Sequence, residues 1–233
     1  MAIAELGYAE TPLGDLTLRR RNETLLGNRE VFEIKLGDEY LMSSLFTEAE
    51  KQLASLGLAG LEGSLDVVVG GLGLGYTAAA ALRNESVSRL LVIDIFPSVI
   101  EWHKAGLVPM GPILSSDSRC ELRQGDFFAL ARSGFDETDP DRKFDAILLD
   151  IDHSPRHFLD QSKGSFYTAD GLASAKSQLK PGGSFAMWSD DPSSDEFTRH
   201  LASVFGSAES HDIEFANPYT NSVSVNSVYV ARS

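Results

Sequence analysis

The segment Val67–Ala80, VVVGGLGLGYTAAA, is the feature that most restricts how this chain can fold. Three valines, which favour a buried strand, are followed by a short turn that contains four glycines. An alanine-rich sequence that favours a helix comes directly after this turn. Glycine at such a junction allows a sharp turn and lets a ligand lie against the backbone, where the first N–H groups of the helix point at it. The segment therefore predicts a strand–turn–helix unit with a nucleotide-type ligand at its turn.

The same alternation of strand and helix continues to the end of the chain. Four more strand-like segments are each followed by a segment with helical spacing. These strand-like segments are RLLVIDI, CELRQGD, FDAILLD and GGSFAMWS. Strands without polar alternation between helices are typical of a doubly wound, mostly parallel sheet. We therefore predict a Rossmann-like nucleoside-binding catalytic domain over residues 46–233, ending in an antiparallel hairpin. Residues 1–45, which alternate like strands from residue 12, are predicted to form a small N-terminal β-hairpin element of about four short strands.

Charge and cysteine content exclude several functional classes. The chain has 20 Lys and Arg against 34 Asp and Glu, a net charge of −14, which makes nucleic acid a poor partner because phosphate binding needs a basic face. An acidic cleft would attract a cationic substrate, although acidity also serves solubility alone. One cysteine and no Cys/His cluster predict no disulfide framework and no metal. Without a basic leader or an apolar run of ~20 residues, we predict a cytoplasmic protein with no membrane partner.

The spacing of the glycines narrows the choice of nucleotide. A P-loop needs Lys and Ser/Thr after its last glycine, whereas Gly75 is followed by Tyr76. The dinucleotide pattern G-x-G-x-x-G fails as well, since the sixth position from Gly71 is Tyr76. The remaining pattern, G-x-G-x-G at Gly71, Gly73 and Gly75, is typical of enzymes that bind S-adenosyl compounds. A purely structural turn is the alternative.

Two acids follow the next two strands. Asp94 ends the second strand of the predicted domain, where a carboxylate can accept ribose hydroxyls; a helix cap or a solvated acid is the alternative. Asp126 follows the third strand, where it can accept the exocyclic amine of adenine. Asp126 can equally cap the helix FFALARS, and the two roles are compatible.

The fourth strand, FDAILLD, also ends in an acid, Asp150, at the edge of the sheet where ligands of open α/β folds bind. From about residue 30 to its end, the chain resembles the polyamine aminopropyltransferases, the spermidine synthase family. The resemblance rests on these motifs: the double-glycine turn, Glu101-Trp-His-Lys104, Gly125-Asp126, Phe144-Asp145 with Asp150, Phe166-Tyr167, and Leu179-Lys-Pro-Gly-Gly183.

This resemblance implies a class I methyltransferase-like fold, a homodimer, and decarboxylated S-adenosylmethionine as the donor of an aminopropyl group. It implies that the acceptor is a small cationic amine such as putrescine. The glycine turn, Asp94 and Asp126 would bind the donor, and Asp150 would take a proton from the attacking amine. Such a base is needed because an alkylammonium is not a nucleophile.

Two positions differ from the family pattern. The aspartate that meets the donor's free amine in the family aligns with Leu74, and a second aspartate that accompanies the base aligns with His153. Asp152 is one residue early and is the candidate substitute. Leu74 leaves methyl transfer from S-adenosylmethionine itself open as an alternative reaction, and a non-catalytic nucleoside-binding protein is the third interpretation.

Overall fold

A computed structural model describes residues 3–136, 138–139, 141–151, 154 and 161–233 of the chain. The strands are β1 (Ile3–Thr11), β2 (Gly14–Glu23), β3 (Arg29–Leu36), β4 (Glu39–Ser43), β5 (Leu65–Gly70), β6 (Val87–Asp94), β7 (Cys120–Gln124), β8 (Phe144–Leu149), β9 (Leu179–Ser189), β10 (Ser207–Asn217) and β11 (Ser222–Arg232). The helices are α1 (Glu48–Leu58), α2 (Tyr76–Leu82), α3 (Pro97–Lys104), α4 (Gly111–Ser116), α5 (Phe127–Ser133), α6 (Ala169–Ser177) and α7 (Asp195–Phe205), with 3₁₀ turns at Thr24–Leu26 and Gln161–Tyr167. No helix among these residues is long and apolar enough to cross a membrane.

The larger of the two sheets has seven strands in the order β10-β11-β9-β8-β5-β6-β7. The five strands from β5 to β9 are parallel, whereas β11 is antiparallel to β9 and β10 is antiparallel to β11. The chain runs outward from β5 through β6 to β7 and then returns to β8 on the other side of β5. The doubly wound sheet with a C-terminal antiparallel hairpin, predicted from the sequence, is confirmed.

Two clusters of buried side chains cover the two faces of this sheet. Val67 and Val69 of β5 belong to one cluster, and Val68 belongs to the other. Because successive side chains of a strand point to opposite faces, a strand buried on both sides needs apolar residues at every position. This accounts for the continuous apolar runs that indicated a parallel sheet.

The N-terminal sheet has four antiparallel strands in the order β1-β2-β3-β4. Leu16, Leu18 and Ile34 on its inner face are fully buried and join the core cluster that also contains α1 and α2 residues. At its edge, Gly7 lies so close to α3 that a Cβ there would be 2.4 Å from the Trp102 Nε1 atom. The sheet is therefore packed against the larger one through a shared core.

Polar contacts join the N-terminal sheet to the C-terminal hairpin. The Arg21 Nη2 atom donates a hydrogen bond of 2.7 Å to the Tyr219 hydroxyl, which donates one of 2.6 Å to Glu23. Beside this contact, the Phe46 ring packs against Phe215 with ring centroids 5.1 Å apart. Sheet and hairpin thus form a continuous wall above the carboxyl ends of the parallel strands.

The structure differs from the predicted elements at two places. The first strand, β1, begins at Ile3, whereas the sequence predicts strand-like alternation only from residue 12. The structure also contains a short helix, α4, that the sequence analysis does not predict; Pro112 lies in its first turn, where the missing N–H of proline leaves no bond unmade. The division into an element of residues 1–45 and a domain of residues 46–233 stays a prediction.

Candidate active site

A cavity of about 350 Å³ lies between the carboxyl ends of the parallel strands and the N-terminal sheet. Its floor comprises the glycine turn after β5 and the residues that end β6 and β8, and its wall includes β3, β4 and the C-terminal hairpin. In this strand order the topological switch point falls between β5 and β8, where open α/β sheets bind their ligands. The cavity is therefore the candidate active site.

Every charged side chain that lines the cavity is acidic, among the residues that the structure describes. The carboxylates that line it are Glu50, Asp94, Asp126, Asp150 and Asp190. No lysine, arginine or histidine in the described part of the chain lines it. The other lining side chains are mostly apolar, including Met42, Phe46 and Trp188. Such a cavity attracts cations, and the part of its lining that the structure describes offers no cationic side chain to an anionic group. No three His, Cys, Asp or Glu side chains among the described residues are placed to bind a metal ion.

The glycine turn has the conformation that its sequence predicts. Gly71, Gly73 and Gly75 have φ values of 94°, 47° and 89°, which favour glycine over other residues. Gly71 and Gly73 line the cavity. Gly75 instead caps α2, and a Cβ there would meet His103 at 2.7 Å, on the side away from the cavity. Of the three glycines, the structure therefore brings two to the candidate ligand site.

His103 stabilises the glycine turn through a hydrogen bond to its backbone. Its Nε2 atom lies 2.9 Å from the Gly73 carbonyl oxygen, and the side chain is fully buried. Burial lowers the pKa of His103 to about 4, so the ring is neutral near pH 7 and its Nε2–H donates to the carbonyl. The turn is thereby fixed without placing a positive charge beside the cavity.

Leu74 does not face the cavity. Its side chain is fully buried in the core cluster and is absent from the cavity lining. This position, which holds an acid in the family pattern, is thus a core residue in this chain. The interpretation that Leu74 removes an anion beside the donor stays a prediction.

Asp94 lies in the cavity floor and also stabilises the glycine turn. Its two oxygens accept backbone hydrogen bonds from Leu72 N at 2.9 Å and Phe96 N at 2.8 Å. Burial raises the pKa of Asp94, and these backbone N–H groups oppose the rise because they stabilise the ionised form. The Gly73 backbone N–H also bonds to Asp94. Since a carboxylate has about four acceptor positions, the predicted contact with a ribose hydroxyl stays chemically possible.

We expect Asp94→Asn to weaken binding of methylthioadenosine by about 1.5–3 kcal/mol, the usual effect of losing a hydrogen bond to a charged group. The amide NH₂ would also face a backbone donor, so stability should fall as well. Calorimetric titration measures the affinity. Asp117→Asn is the matched control, because Asp117 also accepts a backbone N–H two residues on, at 3.0 Å from Arg119 N. The ribose role is wrong if both variants keep the wild-type affinity.

Asp126 caps α5 and lines the cavity as well. Its Oδ1 atom accepts hydrogen bonds from Phe128 N at 3.0 Å and Ala129 N at 3.3 Å. The capping role considered from the sequence is therefore present. The contact with adenine stays a prediction.

Asp150 lies at the carboxyl end of β8, beside the glycine turn. The Thr77 hydroxyl donates a hydrogen bond of 2.6 Å to its Oδ2 atom, and no described residue donates to Oδ1, the oxygen that can receive a proton. Burial raises the pKa of Asp150 to about 6. A carboxylate with a pKa near the working pH is suited to general-base chemistry.

Glu50, in the first turn of α1, was not predicted as a site residue. It is 9% exposed and lines the cavity. Its carboxyl group is near enough to Asp150 to feel the negative charge of that residue. Burial and the negative charge of Asp150 raise the pKa of Glu50 to about 8. The helical spacing contained a usable signal, because Glu50 lies on the same face as the buried residues Leu53, Ala54 and Gly57.

The remaining candidates from the sequence have different outcomes. Asp152 and His153 lie outside the described residues. Phe166 is 1% exposed and packs against the Phe127 and Phe128 rings, so it anchors the core rather than closing over a ligand. Trp188, at the end of β9, lines the cavity and also packs against the core cluster.

Comparisons with known proteins give a consistent result. No protein-family model matches the chain. A polyamine aminopropyltransferase of Sulfolobus acidocaldarius is 30% identical over 140 residues, covering 58% of this chain and 42% of the relative. Polyamine aminopropyltransferase 2 of Pseudomonas aeruginosa is 29% identical over 158 residues, covering 63% of this chain and 41% of the relative. The chain spans less than half the length of these curated relatives.

Solved structures agree with the sequence matches. A spermidine synthase in complex with the transition state analogue AdoDATO superposes with a TM-score of 0.75 at 18% identity, covering 98% of this chain and 73% of that one. The spermidine synthase from Thermotoga maritima gives a TM-score of 0.73 at 17% identity, covering 98% and 72%. The fold is a methyltransferase-like α/β fold, which the chain shares with these spermidine synthases. In sequence the chain is similar to the polyamine aminopropyltransferases, and the resemblance predicted from its sequence is confirmed.

Proposed function

We propose that the chain transfers the aminopropyl group of decarboxylated S-adenosylmethionine to a small di- or polyamine. The observation that carries this proposal is the cavity lining, with five carboxylates and no basic side chain among the described residues. Both proposed substrates are cations: the donor has a sulfonium and an ammonium group, and the acceptor has two or more ammonium groups. The names of the curated relatives, polyamine aminopropyltransferases, support the same reaction.

The cavity favours the decarboxylated donor over S-adenosylmethionine itself. The intact donor carries an α-carboxylate, which would enter a cavity that already holds five acids and offers no cationic partner among the described residues. Like charges brought together in a partly desolvated site cost several kcal/mol. Removing the carboxylate from the donor removes this repulsion and leaves an ammonium that the acids attract.

The proposed reaction needs few parts. The adenosine lies against Gly71 and Gly73, with Asp94 on its ribose and Asp126 at its adenine, so that the sulfonium carbon points toward Asp150. Asp150 accepts a proton from the acceptor's ammonium group, and the free amine attacks the sulfonium carbon. A C–N bond forms, the C–S bond breaks, and its electron pair stays on sulfur, which leaves neutral methylthioadenosine. Alignment of nitrogen, carbon and sulfur supplies much of the rate acceleration.

The proposal is tested by incubating the protein with each donor and a panel of amines that includes putrescine and spermidine. We expect methylthioadenosine from the decarboxylated donor and no S-adenosylhomocysteine from the intact one, both measured by mass spectrometry. AdoDATO, the analogue bound in the spermidine synthase structure, should raise the melting temperature more than S-adenosylhomocysteine does, because a ligand that binds only the folded state stabilises it.

Two outcomes would contradict the proposal. Formation of S-adenosylhomocysteine from the intact donor would replace it with methyl transfer. Stabilisation by AdoDATO without turnover of either donor would indicate a binding protein with an enzyme's fold.

A further inference from the structure

Glu50 is a buried acid that lines the cavity. Its carboxylate accepts a hydrogen bond from its own backbone N–H, but it has no hydrogen bond or ion pair with another of the described residues. The neighbouring cation, Lys51, pairs instead with Glu48 at 3.0 Å. Buried carboxylates are normally paired or hydrogen-bonded, because removing the charge from water is costly. A buried acid that lines a cavity and has no cation paired with it among the described residues is suited to bind a cationic group of a ligand.

We propose that Glu50 and Asp150 together form a two-carboxylate seat for the reacting ammonium group of the acceptor. The inference rests on the proposed function and adds a substrate-binding residue from α1 to it. Both carboxylates line the same cavity. The two residues are also connected through the Thr77 hydroxyl, which lies 2.6 Å from Asp150 Oδ2 and 3.4 Å from the backbone oxygen of Glu50. An ammonium has three N–H donors, so it can bond to both acids at once.

The two acids have different tasks in this arrangement. Glu50 holds the ammonium through charge and hydrogen bonding, and Asp150 takes one of its protons. The Thr77 hydroxyl carries a single proton, so its two contacts belong to two states. It donates to Asp150 while Asp150 is ionised. After Asp150 Oδ1 takes the proton, Oδ2 is a weaker acceptor, and the Thr77 hydroxyl proton can turn to the Glu50 backbone oxygen. The amine then attacks with its lone pair free.

The surroundings of Glu50 fit a group that ionises when a cation arrives. Asp150 faces it from β8, Tyr76 faces it from α2 as a neutral phenol, and Glu48 and Lys51 are its neighbours on α1. In the empty cavity Glu50 carries a proton near neutral pH, because burial and Asp150 raise its pKa to about 8. Binding of an ammonium favours the ionised form, so amine binding should release a proton and strengthen as pH rises toward about 8.

The test is Glu50→Gln, which keeps the shape of the side chain and removes its charge. We expect KM for putrescine to rise by about 10- to 100-fold, the loss associated with a hydrogen bond to a charged group. Methylthioadenosine affinity should stay nearly unchanged. The melting temperature should not fall, since the variant removes an unpaired buried acid. Glu48→Gln is the matched control, since Glu48 is in the same helical turn with a side chain 58% exposed, and it should leave all three quantities unchanged.

A second measurement keeps this inference separate from the proposed reaction. Putrescine is titrated into each protein in the presence of methylthioadenosine, in two buffers of different ionisation enthalpy, so that proton release is counted without turnover. We expect wild type to bind the amine and release a proton, and Glu50→Gln to bind weakly without that release. If wild type binds putrescine with proton release but transfers no aminopropyl group, the proposed reaction is wrong, whereas the two-carboxylate ammonium site is supported. Equal amine affinity in both proteins, or loss of stability and donor affinity together in Glu50→Gln, would overturn the seat.

Discussion

Asp150→Asn is expected to lower kcat for aminopropyl transfer by about 10²–10⁴-fold, the range typical of losing a general base. The asparagine keeps one oxygen acceptor and the volume of the side chain, but it cannot take a proton. Thr77 can still donate to that oxygen, and the backbone bond of 2.8 Å from Asp150 N to Gly70 O is untouched. Donor binding should therefore be nearly unchanged, because the adenosine contacts lie on the glycine turn, Asp94 and Asp126.

The measurement pairs a titration of methylthioadenosine with an assay of transfer to putrescine. Asp145→Asn is the control on the same strand, since Asp145 has a structural role: its Oδ2 atom accepts bonds of 2.7 Å from both Asp66 N and Lys180 Nζ. This variant should lose stability while the folded fraction keeps its rate. If Asp150→Asn shows the same pattern, Asp150 braces the loop and is not the base.

The pH dependence of the wild type provides an independent check on Asp150. Because burial raises its pKa to about 6, the base is protonated and inactive below that pH and ionised above it. Glu50, with a pKa raised to about 8, adds a second ionisation that favours amine binding. We therefore expect kcat/KM for the amine to increase with pH from about 6 to about 8. A profile already flat at pH 5 would mean that neither acid takes part.

The parallel sheet could be predicted because its signals are local in the sequence. The apolar run of β5, its glycines and the start of α2 follow one another without interruption, and Gly71 has the positive φ that the turn requires. The strand β1 was missed for the opposite reason. Its residues are exposed or half-buried, so they carry little hydrophobic pattern, and pairing with β2 is what makes them a strand.

Glu50 and Leu74 show why the site was only partly predictable. An acid in the first turn of a helix is ordinarily a solvated group that complements the helix dipole. Glu50 is buried only because it lines a cavity closed by the N-terminal sheet, a tertiary fact that no local pattern contains. Leu74 is the opposite case. The family resemblance suggests that this position faces the ligand, whereas the Leu74 side chain packs in the core.

Gly71→Ala should abolish donor binding and lower the free energy of unfolding by about 3 kcal/mol or more, as strongly destabilising core and backbone substitutions do. A Cβ at this position would lie 2.0 Å from the Asp150 backbone oxygen and 3.2 Å from Ile151 Cγ1. A backbone oxygen at the end of a strand cannot rotate away as a side chain can. The turn after β5 and the end of β8 must therefore separate, which displaces the donor surface and Asp150 together.

Backbone strain alone would also affect this variant, because Gly71 has a φ of +94°. Gly63→Ala separates the two causes, since Gly63 has a φ of +86° and a Cβ added there would have nothing within 4 Å. That control should cost only about 1–2 kcal/mol, the usual penalty of a left-handed conformation for a non-glycine residue, and should keep donor affinity. Chemical denaturation and titration of methylthioadenosine on both variants measure the difference. Equal losses in the two would show that the close approach of Gly71 to Asp150 does not shape the site, and the assignment of this turn to the donor would then lack its structural basis.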